Sequence, residues 1–203
     1  LLVIADVKRN DIGSTASAYA RAYVEKSAAD FITVNAYFGI DGVRPFLDSC
    51  ADTGKGIFVL VKTSNPSGSE FQDLDVGRLK LYEAVADKVA AWGQELIGAS
   101  GYSSVGAVVG ATYPAEAEAL RKRLPHTFFL VPVYGAQGAG ADDIAVSFDA
   151  SGLGAVVNSS RAILTAWKKP QYAGMTAPQA ARAAVLDMKQ DIGQALEKRG
   201  IAW

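Results

Sequence analysis

Six short runs crowded with Val, Ile, Leu and Phe govern what this chain can become. They fall at residues 1–7, 31–35, 56–62, 105–111, 127–133 and 155–158, so their starts lie 30, 25, 49, 22 and 28 residues apart. Near-continuous apolar character suits strands covered on both faces, the habit of parallel sheets wrapped by helices. Helical spacing fills the ground between several of them, at 14–29, 77–93 and 114–123, and again at 178–198. The third segment opens with Pro114 at a first-turn position, where a missing N–H costs nothing. Four of the five intervals fit one β/α unit. The long one holds an insertion at 63–76, rich in Ser, Asn, Pro and Gly, that reads as a loop over the sheet.

Alternating strands and helices leave two architectures, a doubly wound open sheet or a β/α barrel, and six units fall short of the barrel's eight. Periodicity does not choose between them. No linker or composition break divides the chain, so residues 1–203 are expected to form one domain.

Charge narrows the function classes. Twenty Lys plus Arg against 21 Asp plus Glu offer no clustered positive charge for nucleic acid or an anionic membrane. No run reaches the roughly 18 apolar residues of a membrane span. Residues 1–7 lack the basic flank and length of a signal peptide. Starting inside an apolar run, they suggest sequence upstream. Cys50 is the only cysteine, which forbids an intrachain disulfide and points to a reducing compartment such as the cytoplasm. His126, the only histidine, follows Pro125 in a polar connection and reads as structural.

The chemistry-bearing segment is Asp6-Val7-Lys8-Arg9-Asn10-Asp11-Ile12-Gly13-Ser14-Thr15. Residues two apart on a strand share a face, so Asp6 and Lys8 point the same way at the carboxyl end of the first run, where parallel α/β folds build their sites. Asp11 follows in the turn. Two carboxylates around one lysine keep it protonated, as a proton donor to a carbanion requires. The same residues also read as a strand-end salt bridge followed by a helix cap at Asp11 or Ser14.

That run closely resembles the Asp-x-Lys-x-x-Asp-Ile-x-x-Thr signature of orotidine 5′-monophosphate decarboxylases, above all their bacterial branch. Three further stretches follow in the family's order: Lys62-Thr63-Ser64-Asn65-Pro66, Pro132-Val133-Tyr134-Gly135-Ala136-Gln137-Gly138 and Asn158-Ser159-Ser160-Arg161. The resemblance implies a TIM-type (β/α)8 barrel, with residues 1–7 as its third strand and the first two β/α units missing from this sequence. Those units carry, in the family, a ribose-binding aspartate and a second lysine of the charge network.

The implied reaction is loss of carbon dioxide from orotidine 5′-monophosphate, giving uridine 5′-monophosphate in pyrimidine biosynthesis, with no cofactor and no metal. Lys8, held by Asp6 and Asp11, would stabilise and protonate the carbanion. Asp11, Ile12 and Thr15 would reach into a neighbouring subunit's site, so a homodimer is implied. Ser64 would bond the pyrimidine and Pro132 wall the base pocket. Gln137, Ser160 and Arg161 would take the phosphate, to which arginine's forked donors are suited. Val133 departs from the family's usual Gly and Ala36 from a frequent Pro. Two alternatives stand beside this reading: a magnesium-dependent sugar-phosphate decarboxylase or aldolase of related barrel design, which chelator would expose, and a nucleotide-binding module without turnover.

Overall fold

The computed structural model of the chain describes every residue except Val133, Ala136, Gln137 and Gly138. The first strand, β1 (Ile4–Arg9), leads into α1 (Gly13–Ala20), which runs on as a π-helical turn over Arg21–Glu25; β2 (Phe31–Val34) leads into α2 (Ile40–Thr53). After β3 (Gly56–Lys62) comes an excursion holding a 3-10 turn (Pro66–Gly68), α3 (Ser69–Gln72) and an antiparallel hairpin of β4 (Asp75–Val76) and β5 (Leu79–Lys80). Then follow α4 (Leu81–Gly93), β6 (Val105–Val109), α5 (Pro114–Arg123), β7 (Phe129–Pro132), α6 (Ala141–Ala145), β8 (Ala155–Asn158), α7 (Arg161–Leu164) and the long α8 (Ala177–Lys198).

Six strands form one parallel sheet in the order β1-β2-β3-β6-β7-β8. A doubly wound sheet reverses its strand order at a switch point, whereas a barrel adds staves in chain order. The order never reverses here. Side chains of both outer strands, β1 and β8, face one cavity, so the sheet curls round as six staves of a TIM-type barrel.

The pleat divides each strand between two environments. On β3, Ile57, Val59 and Val61 join the apolar layer beneath the helices, against Val43, Phe46 and Leu47 of α2 and Ala86 and Val89 of α4, while Leu60 faces inward. Each such side chain contributes about 1.5–3 kcal/mol by leaving water. Around α8 a smaller cluster of Ile192, Ala195 and Leu196 packs on Ala141 and Ala145 of α6. Among the described residues no helix is long and apolar enough to cross a membrane.

Several elements differ from the sequence expectation. The segment expected as a helix over 14–29 becomes π-helical after Ala20 and stops where the Ser27 hydroxyl donates to the Tyr23 carbonyl and accepts the Ala29 N–H. The 63–76 insertion is not a plain loop, and its hairpin delays α4 to Leu81. There the Glu83 carboxylate accepts the Lys80 N–H. Helix α2 was not anticipated, because Pro45 lies inside it. His126 sits on the surface with Nδ1 2.9 Å from the Gly101 carbonyl oxygen.

Candidate active site

A cavity of about 560 Å³ opens at the carboxyl ends of the six parallel strands. Apolar side chains make its wall: Ile4 from β1, Leu60 from β3, Val108 from β6, Leu130 and Pro132 from β7, and Val156 and Val157 from β8. Polar groups gather at its mouth: Asp6 and Lys8, Thr33, the Thr63-Ser64-Asn65 turn, Asn158 and Ser160.

Lys8 Nζ donates to both carboxylate oxygens of Asp6 at 2.6 Å. Asp6 Oδ1 also accepts the Thr33 hydroxyl at 2.8 Å, and the Lys8 N–H donates to the same hydroxyl at 2.9 Å. Burial pushes the Asp6 carboxyl up, yet the hydrogen bonds from Lys8 and Thr33, with the Lys8 charge, hold it below its ordinary value of 3.8. The pairing register of β1 with β2 shifts between Ala5 and Arg9, and within that bulge Lys8 takes φ +44°, the one left-handed non-glycine among the described residues. A lysine there is strained by about 1–2 kcal/mol. Its neighbour Arg9 turns the other way, donating to the Tyr23 hydroxyl at 2.8 Å and lying over the rings of Tyr19 and Tyr23. The bulge thus sends one cation to the cavity mouth and the next under the helices.

Ser64 enters the cavity because β6 gives way beside it. A Cβ on Gly110 would stand 3.0 Å from Ser64 Cβ and N, closer than ordinary packing, so glycine lets the turn settle there without displacement. Thr63 is tied back to α3 twice: its N–H donates to Gln72 Oε1 at 2.9 Å, and Gln72 Nε2 donates to its hydroxyl at 2.7 Å. At the far side the Ser159 hydroxyl donates to the Tyr134 carbonyl, and the Tyr134 hydroxyl donates to Asp191 of α8 at 2.6 Å. The first bond stitches the exit of β7 to that of β8, and the second ties it to α8.

A profile of the orotidine 5′-phosphate decarboxylase / HUMPS family matches residues 1–176. The chain belongs to this family. It is 46 % identical over 203 residues to orotidine 5′-phosphate decarboxylase of Rhodopirellula baltica, covering 95 % of this chain and 67 % of that protein. It is 49 % identical over 178 residues to the Caldicellulosiruptor bescii enzyme of the same name, covering 83 % of this chain and 58 % of that one. The solved structure of Leishmania donovani OMP decarboxylase superposes with a TM-score of 0.73 at 33 % identity, over 94 % of this chain and 68 % of that chain. The chain therefore spans about six-tenths to two-thirds of the length of the curated relatives it matches.

Within this family chain the residues singled out from sequence separate into three groups. Asp6, Lys8, Ser64, Pro132 and Ser160 all line the cavity. Arg161 is exposed as the first residue of α7, directly after the lining residue Ser160. Asp11, Ile12 and Thr15 lie off it. The expected clamp of Lys8 by two carboxylates is a pairing with Asp6 alone: Asp11 Oδ1 instead accepts the N–H of Ile12 at 2.8 Å, capping its own turn. Ile12 is 63 % exposed and borders a separate depression with Phe38 and Arg44. Gln137 and Val133 lie outside the described residues.

Thr33 escaped the sequence reading. Its signal was present: a hydroxyl between Ile32 and Val34 in a strand otherwise apolar. Asn65 and Asn158, neighbours of the candidate residues in the second and fourth motifs, also reach the cavity. Among the described residues no three His, Cys, Asp or Glu side chains converge to hold a metal ion.

Proposed function

We propose that this chain decarboxylates orotidine 5′-monophosphate to uridine 5′-monophosphate and carbon dioxide. The Lys8–Asp6 pair at the mouth of an apolar-walled cavity carries the reading. The bond between the ring carbon and its carboxylate breaks, carbon dioxide departs, and the electron pair stays in the ring plane, where the π system cannot spread it. An ammonium fixed beside that carbon stabilises the pair and delivers the proton that forms the new C–H bond. The resulting amine regains its proton from water. Asp6 orients Lys8 in the charged state, and Thr33 orients Asp6. Ser64 bonds the pyrimidine from the strand-end turn, and Pro132 borders the ring. Ser160, Arg161 and Gln137 take the phosphate, whose remote binding energy supports the chemical step.

The family resemblance and the exposure of Ile12 and Phe38 support a homodimer in which Asp11, Ile12 and Thr15 serve the partner's site. An isologous contact buries the same patch twice, removing these apolar groups from water. Uridine nucleotide as product and a cytoplasmic setting complete the reading.

Ultraviolet monitoring of orotidine 5′-monophosphate tests it directly. The full-length protein consumes the substrate, and its Lys8→Ala variant does not while still binding uridine 5′-monophosphate. Retained turnover in Lys8→Ala rejects the proton-donor role. Mixing Lys8→Ala with Asp11→Ala subunits restores part of the activity if sites are shared, and absence of rescue counts against that sharing.

A further inference from the structure

Lys62 is the last residue of β3 and is 1 % exposed, yet it does not line the cavity. Strict alternation would place it on the inward face with Leu60. The pairing of β3 with β6 instead shifts between Leu60 and Lys62, and this bulge turns the side chain outward into the helical layer. There its ammonium is paired with Asp73 and lies 4.7 Å from the ring centres of both Tyr82 and Tyr113. A buried cation is tolerated only when carboxylate and aromatic faces replace its lost water. Asp73 follows α3, where the excursion that began at Thr63 turns back toward the sheet. The Lys62 carbonyl accepts the N–H of Gly110, the residue against which Ser64 packs.

We infer that Lys62 is a positioning residue: by clamping the excursion's return through Asp73, it fixes Ser64 and Asn65 against the base end of the cavity. The inference rests on the functional reading above for its ligand and on geometry alone for the clamp. Lys62 touches no substrate. Its salt bridge and the Thr63–Gln72 pair close the excursion at its neck, so the turn between them is held from both sides.

Two variants test it in the full-length protein, Lys62→Met, which keeps the apolar stem between the tyrosines, and Asp73→Asn, which spares the buried lysine. Hydrogen exchange without ligand reads the clamp: amides in 63–72 exchange about tenfold faster while those of β3 and β6 are unchanged. Unchanged exchange, or acceleration spread evenly over the chain, overturns the clamp. Calorimetry then reads its purpose: affinity for uridine 5′-monophosphate falls about tenfold, whereas affinity for ribose 5-phosphate, which has no base, stays within about twofold. In a Ser64→Ala background the Lys62→Met effect on nucleotide affinity largely vanishes, as coupling through one side chain demands. Equal losses for both ligands, or additive effects with Ser64→Ala, overturn the positioning role. If the full-length parent binds neither ligand, the functional reading fails, and with it the assignment of Ser64 to a base, while the exchange result still decides the clamp.

Discussion

Replacing Thr33 by Val removes one oxygen and keeps nearly the same volume, and the structure assigns that oxygen two bonds. It donates to Asp6 and accepts from the backbone N–H of Lys8, at a residue that is wholly buried. Loss of the acceptor leaves the Lys8 N–H without its partner in the bulge, a penalty of about 1–3 kcal/mol. Asp6 is largely exposed, so losing its bond from Thr33 adds little beyond this. For a chain of this length each kcal/mol lowers the melting midpoint by about 2–4 °C, so Thr33→Val melts roughly 2–12 °C below the parent. The same bond holds Lys8 in its left-handed conformation. Once released, the backbone relaxes and Nζ moves, and a displacement of about 1 Å at a reacting group costs on the order of 100-fold in turnover. Thr33→Ser separates the two effects: it keeps the hydroxyl, loses a buried methyl worth about 1 kcal/mol, and retains most of the turnover. Thermal unfolding and ultraviolet turnover on the three chains provide the comparison. Full turnover in Thr33→Val, or a Thr33→Ser as slow as Thr33→Val, would refute the account.

Three further outcomes follow from the site and core. Because the folded Asp6 carboxyl titrates below its ordinary value, its contribution to stability is complete above the carboxylate range and disappears as pH falls through the lowered value. Asp6→Asn therefore flattens the dependence of stability on pH below about 4, and an unchanged slope in urea titrations contradicts the pairing. Arg161→Ala weakens uridine 5′-monophosphate binding by about 10- to 100-fold, the worth of a charge-assisted phosphate contact, and undiminished affinity removes Arg161 from the phosphate site. Burial pushes the Cys50 thiol up to about 12, so a thiol reagent at pH 8 labels only unfolded chain; rapid labelling of folded protein contradicts its place on the buried face of α2.

Much of the frame was legible because it rests on repetition. Apolar runs at β/α spacing mark all six parallel strands, and the period of two sets Asp6 and Lys8 on one face of the first. The choice of a barrel over a doubly wound sheet came from the family motifs, since spacing alone is blind to strand order. What stayed hidden depends on contacts between strands. The register shifts at Lys8 and Lys62 arise from pairing with β2 and β6, and no single run encodes its partner's offset. Helix α2 hid behind Pro45, although Val43, Phe46, Leu47 and Cys50 carry its stripe. Asp11 was expected beside Lys8 because three residues separate them, but a turn sets no direction for a side chain, and this one capped itself.

The positive φ at Lys8 sets thermal endurance against usefulness at a single codon. Glycine accepts that backbone shape freely, and the surface ion pair forfeited with the lysine is worth little, about 0–1 kcal/mol. Variants sorted by heat alone should drift toward glycine at position 8 and emerge sturdier but inert. A population kept alive by its product would hold lysine there and accept a softer protein.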